Sequence, residues 1–135
     1  MVEVNKFHNL LIIKKKLTKN EKIRLKLFLE LPIAKIAINK IIIQEFKVRT
    51  CVYSGKLITW TDALLAENCN LDHIIAKTKG GANEPSNLVL ANNLANSQKG
   101  DKTAYEAFMN DWSNVSQRIA NSYMDKSKKN LLLKK

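Results

Sequence analysis

The stretch from Leu71 to Asp101, LDHIIAKTKGGANEPSNLVLANNLANSQKGD, constrains the fold more than any other part of this chain. An extended NLDHI runs into a loop with two adjacent glycines, the apolar NLVLA follows, and the polar ANNLANSQKG closes on another glycine. That succession predicts a strand, a long loop, a second strand and a short helix. Asp72 and His73 stand side by side at its start and Asn96 near its end, 23 positions after the histidine.

Helix signals dominate on both sides of this unit. Val4, Phe7, Leu10, Leu11 and Leu17 recur at near-helical spacing ahead of Lys14, Lys15 and Lys16, cations that suit a helix C-terminus, so a helix over 2–17 is expected. Thr18 and Glu21 form a T-x-x-E capping box that opens a second helix to about Leu31, although the alternation of Ile23, Leu25, Leu27 and Leu29 also fits a strand. Pro32 suits the first turn of a third helix running to about Val48, with Ile33, Ile36, Ala37 and Ile41 on its buried side. CVYSGK at 51–56 reads as a turn before a short strand at 57–59, and Thr59 with Asp62 caps a brief helix through Leu65. Downstream, Thr103 and Glu106 open a helix with Tyr105, Phe108 and Met109 inward. Two more helical pieces follow, at about 114–122 and 125–133.

The chain's 135 residues, 45% of them hydrophobic, suffice for one domain with one modest core. Its formal charge of +11 points to a polyanionic partner, because lysines and arginines that neutralise phosphates release counterions. That charge is uneven: +8 over residues 1–50, −1 over 51–110 and +4 over 111–135, counting Lys and Arg against Asp and Glu. Two cysteines, Cys51 and Cys69, are too few for a stapled secreted scaffold, which implies a reduced intracellular setting. The most apolar run, from Glu30 to Phe46, is broken by Lys35, Lys40 and Glu45 and is too short between charges to span a bilayer.

The residues at the ends of the central elements suit phosphodiester hydrolysis, which needs a base to activate water and a cation to offset charge on the scissile phosphate. His73 is the candidate base, since a neutral imidazole is available at cellular pH. His8, on a basic helix with no acidic or amide companion, reads as a surface residue. Asp72 and Asn96 offer carboxylate and amide oxygens, hard donors of the kind that Mg²⁺ accepts while keeping several waters, and Mn²⁺ can substitute. Successive strand residues point to opposite faces, so Asp72 and His73 converge only where the strand ends and twists into the loop. Asn87 is expected to tie loop backbone to the second strand, a structural role. Gly80 and Gly81 let the loop turn back, and Lys77, Lys79, Lys99 and Lys102 are candidate contacts to a phosphate backbone.

The pattern DHI, GG, NLVL and N-x-x-KGD resembles the HNH endonuclease superfamily in its H-N-N form, with His73, Asn87 and Asn96 at the name-giving positions. Many such fingers carry two C-x-x-C pairs for a structural zinc. Here the first is reduced to Cys51 and Ser54 and the second is replaced by Asn92 and Ala95, so no structural zinc is expected, because a closed site wants four N or S ligands. CVYSGKLI before the finger, with QKGDKTAYEAFMND and SKKNLLLKK after it, is similar to the HNH domain of the type II CRISPR RNA-guided DNA endonucleases. This similarity runs from about Ile38 to Lys135. Ala76 and Ala104 stand where prolines are usual, and neither position carries a catalytic atom.

The resemblance implies an α+β, mostly helical chain: a ββα-metal finger over 51–102, an N-terminal helical part over 1–50 and C-terminal helices over 103–135, together one domain of a longer enzyme. It implies a metal-dependent DNA endonuclease that nicks the strand paired to a guide RNA, with His73 as general base and Asp72 and Asn96 holding one Mg²⁺. The implied partners are the DNA target strand in an RNA–DNA heteroduplex and, through the parent enzyme, the guide RNA. A monomer in a prokaryotic cytoplasm is expected, with no membrane. Two other readings stay open: a free-standing HNH nuclease acting on duplex DNA, and a non-catalytic nucleic-acid-binding module on the same scaffold.

Overall fold

The computed structural model describes residues 18–29 and 48–135. The helices expected over 2–17 and 32–48 lie outside the described residues, apart from Val48. Helix α1 (Lys19–Leu29) starts at the Thr18 capping box, where Glu21 Oε1 accepts from Thr18 N at 2.8 Å and Thr18 Oγ1 accepts from Glu21 N at 3.1 Å. The helical alternative wins over the strand there, and Leu25, Leu27, Phe28 and Leu29 are buried.

Strands β1 (Arg49–Thr50) and β2 (Leu57–Ile58) form a small antiparallel hairpin, with Arg49 opposite Ile58 and Thr50 opposite Leu57. The turn between them is closed by Cys51 N to Lys56 O at 2.8 Å and Gly55 N to Cys51 O at 2.8 Å. Helix α2 (Trp60–Leu65) begins at Thr59, whose hydroxyl and the Asp62 carboxylate form the expected reciprocal cap. The chain then enters the central unit: β3 (Cys69–His73), two 3₁₀ turns at Lys77–Lys79 and Pro85–Asn87, β4 (Leu88–Asn92) and helix α3 (Asn93–Lys99). Strands β3 and β4 pair antiparallel from Cys69 opposite Asn92 to His73 opposite Leu88. Strand β4 is buried from Leu88 to Ala91, since α1 and α3 both pack against it.

Asn92 caps α3, its Oδ1 accepting from Ala95 N at 3.1 Å, while Asn92 N donates to Cys51 Sγ at 3.4 Å. The positions that resemble the degenerate zinc pairs are therefore neighbours in space, but an engaged amide and an alanine do not fit a four-ligand zinc site. Among the described residues no three His, Cys, Asp or Glu side chains gather around a point that could hold a metal.

Helix α4 (Ala104–Ala107) starts at the Thr103–Glu106 box and is followed by a 3₁₀ turn at Met109–Asp111, then α5 (Trp112–Asn121) and α6 (Lys126–Leu132). One expectation fails here. Met109 is 55% exposed, because α4 ends at Ala107 and the tighter turn swings Met109 outward, leaving Ala104 and Phe108 against the core. Phe108 stacks on Tyr53 with ring centroids 5.1 Å apart. Arg118 on α5 donates through Nε to Val52 O at 2.9 Å and through Nη2 to Tyr53 O at 2.8 Å, fixing the 51–55 turn against the C-terminal helices. Arg49 does similar work at the other end: it donates to Phe28 O at 2.7 Å and lies over the Tyr123 ring at 3.8 Å. No helix among the described residues is long and apolar enough to cross a membrane.

Candidate active site

Two polar clusters meet at the end of β3, one around each of two successive residues that point to opposite faces of the strand. Asp72 points inward and is 3% exposed. Its Oδ2 accepts from the Tyr53 hydroxyl at 2.6 Å and faces Lys99 Nζ at 3.3 Å, while Oδ1 is engaged by no described residue. Lys99 also donates to His73 O at 2.8 Å and is fully buried. Burial raises the Asp72 carboxyl above its ordinary range, outweighing the Tyr53 hydrogen bond and the Lys99 charge that pull it down. Tyr53, buried beside that carboxylate, is pushed well above the usual phenol range, first by desolvation and then by Asp72.

His73 closes β3 with its ring half-buried, and Nε2 lies 3.0 Å from Asn83 Oδ1. The loop that presents Asn83 is folded back on itself by Asn87. Asn87 Oδ1 accepts from Ile75 N at 2.9 Å, and Nδ2 donates both to Ile75 O at 3.0 Å and to Ala82 O at 2.9 Å. One buried amide thus holds the outgoing and the returning chain together. The two glycines have separate reasons to be there. Gly80 sits at φ +85°, a left-handed conformation that favours glycine, and a Cβ on Gly81 would overlap the Ile75 carbonyl.

Asn96 is half-buried one turn before Lys99 on α3. Its amide is engaged by no described residue. Lys77, Lys79 and Lys102 are exposed, and the charges of Lys79 and Lys102 help hold the Glu106 carboxyl low, after its hydrogen bonds to Thr103. Lys99, expected beside them as a phosphate contact, is instead withdrawn into the core, because Asp72 and the His73 carbonyl offer it two buried oxygens. Sequence reasoning misses three partners: Tyr53, Asn83 and Lys99 in its buried role. Asn83 has a signal, a second amide in the loop ten residues after the histidine. Tyr53 has none, because it comes from a turn 19 residues before Asp72.

A groove of about 480 Å³ lies elsewhere, lined by Leu27, Val52, Leu90, Tyr123 and Met124 among others, and contains neither His73 nor Asp72.

Residues 51–105 match the family model for HNH endonuclease. A sequence comparison with curated proteins finds no match. In fold the chain is similar to a crystal structure of Streptococcus thermophilus Cas9 in complex with the GGAA PAM, with a TM-score of 0.56 and 21% identity, over 85% of this chain and 13% of that one. The chain thus spans 13% of the length of the Cas9 it matches. Residues 51–105 thus resemble HNH endonucleases in sequence pattern, and most of the chain shares its fold with a part of that Cas9 structure.

Proposed function

We propose that this domain hydrolyses a phosphodiester bond in DNA, cutting one strand, the one paired to a guide RNA, with His73 as general base. The observation that carries this reading is the placement of His73: it ends β3 inside the family-matched segment, half-exposed, with its ring Nε2 3.0 Å from the Asn83 amide oxygen. A neutral imidazole so held takes a proton from water as the water oxygen bonds to phosphorus. The P–O bond to the leaving oxygen breaks, and that oxygen takes up a proton from solvent.

Asp72 Oδ1 and the Asn96 amide oxygen, both without partners among the described residues, are hard donors that suit Mg²⁺ or Mn²⁺. Such a cation, when bound, would offset charge on the scissile phosphate. Tyr53 and Lys99 hold the other Asp72 oxygen and so keep Oδ1 directed away from them. Lys77, Lys79 and Lys102 contact phosphates to either side, which positions a strand without reading its sequence. Sequence choice belongs to base pairing in a longer enzyme that also holds the guide RNA, and the chain itself acts as a monomer in a prokaryotic cytoplasm.

The test is a nicking assay with Mg²⁺ and with Mn²⁺, on supercoiled plasmid and on an RNA–DNA hybrid. Weak, divalent-dependent nicking without sequence preference is expected. Efficient sequence-specific double-strand cutting by the chain alone would instead favour a free-standing nuclease, and binding with no divalent-dependent cutting would favour a non-catalytic module.

A further inference from the structure

We infer that Asn83 is the positioning residue for His73, accepting the Nε2–H proton through Oδ1 so that the imidazole is held as one tautomer with the Nδ1 lone pair turned to the substrate side. This rests on the reading of His73 as the base and deepens it.

The contact is an exposed hydrogen bond of 3.0 Å between residues ten apart, and an exposed bond between two free side chains would yield to water. Here neither end is free. His73 is held through its own carbonyl by Lys99 Nζ at 2.8 Å, and the next residue by Ile74 N to Asn87 O at 2.9 Å. Asn83 is bracketed in the same way. On one side Gly81 N donates to Ala76 O at 2.9 Å and Ala82 O accepts from Asn87 Nδ2 at 2.9 Å; on the other, Glu84 O accepts from Asn87 N at 2.8 Å. Asn87 therefore grips the chain two residues after His73 and one residue before Asn83, which leaves the two side chains facing each other across the mouth of the loop. The ordering cost that weakens most surface hydrogen bonds is met by backbone contacts formed anyway.

The direction of the bond decides the chemistry. With the amide oxygen facing the ring, Nε2 carries the proton and Nδ1 keeps its lone pair, since an amide oxygen can only accept. Were the amide turned so that Nδ2 donated to Nε2, the remaining proton would sit on Nδ1 and the ring could take no proton from water on that side. The loop thus does more than connect two strands: it selects which nitrogen is basic.

Long-range ¹H–¹⁵N correlation spectra of the full chain labelled at histidine, recorded where imidazole is neutral, test this directly. The chain has two histidines, and a His8→Gln sample assigns the second signal. The wild type should show His73 protonated at Nε2 and bare at Nδ1, with an Nε2–H proton shielded from solvent exchange. Asn83→Ala should speed that exchange by about two- to tenfold, the worth of one net hydrogen bond. Asn83→Asp, which keeps an acceptor, should retain the protection. A wild-type ring protonated at Nδ1, or an Nε2–H signal whose exchange is the same in Asn83→Ala, would overturn the inference. The readout involves no cleavage, so its failure is distinct from a failure of His73 as the base.

Discussion

His73 and Asp72 are adjacent in sequence yet live in different solvents. The histidine sits half in water with a replaceable amide partner, whereas the aspartate is buried with a phenol and an ammonium on one oxygen. Replacement of Asp72 therefore removes more than the proposed metal donor, because it strands Lys99 in the core. Asp72→Asn and Lys99→Met should each destabilise by about 3–5 kcal/mol, the cost of a buried charge left without its partner. The double variant should cost clearly less than the sum, since the charges leave together. Urea unfolding of the three variants checks this, and strict additivity would mean that the pair is not coupled. For the same reason, a loss of cutting in Asp72→Ala reports on metal binding only where the melting curve shows the fold intact.

Among the elements, the loop between β3 and β4 is held by Asn87 and licensed by Gly81. Asn87→Asp keeps the size but removes both N–H donors and faces an oxygen toward the carbonyls of Ile75 and Ala82, which should cost about 1–3 kcal/mol. Gly81→Ala should disturb the same loop by collision with Ile75 O. Hydrogen exchange should show the loss of protection confined to residues 74–87, and an unchanged exchange pattern in both variants would contradict the clamp. The elements themselves are largely readable in the sequence. Capping boxes at Thr18, Thr59 and Thr103 announce three helix starts, because each is a local exchange of hydrogen bonds that four residues specify by themselves. Strand β1 is not readable: two residues carry no period, and only pairing with β2 makes them a strand. The exposure of Met109 is equally hidden, because the switch from α to 3₁₀ geometry depends on packing rather than on a local signal.

For the molecule as a whole, burial and charge make separate predictions. Among the described residues, two groups that are neutral at cellular pH resist ionisation: Tyr53, raised well above 10.0, and Cys69, raised from 9.0 to about 11, chiefly by desolvation. Each favours its neutral form only when folded, so the stability it contributes is complete below the unfolded value and is lost as pH climbs through the folded one. Melting temperature should hold up to about pH 9 and then fall toward pH 11, with tyrosinate absorbance for one of the three tyrosines appearing only on unfolding. Titration of all three tyrosines while the chain is still folded would contradict the buried phenol. The +11 charge predicts nucleic-acid binding that weakens steeply with salt. Replacing Lys77, Lys79 and Lys102 with alanine should reduce the slope of log affinity against log salt by about 1 for each phosphate no longer neutralised. An unchanged slope would assign phosphate binding to other lysines.

The geometry of the site follows from which parts of the sequence talk to each other. The tie between Asn87 and the chain just after His73 is legible because the central unit is contiguous and its strand–loop–strand order sets their neighbourhood. The buried pair of Asp72 with Lys99, and the Tyr53 hydroxyl that completes it, depend on α3 and the 51–56 turn closing on β3 from two sides. No spacing in the sequence encodes that closure. Whether His73 is the base of a nuclease is decided by comparing wild type with His73→Ala in single-turnover nicking with excess protein and Mn²⁺, beside a melting curve of each. The variant should melt within a few degrees of wild type, since it empties no core, while divalent-dependent nicking should fall by about 100-fold or more. Nicking by His73→Ala within a few-fold of wild type would remove His73 from the chemistry.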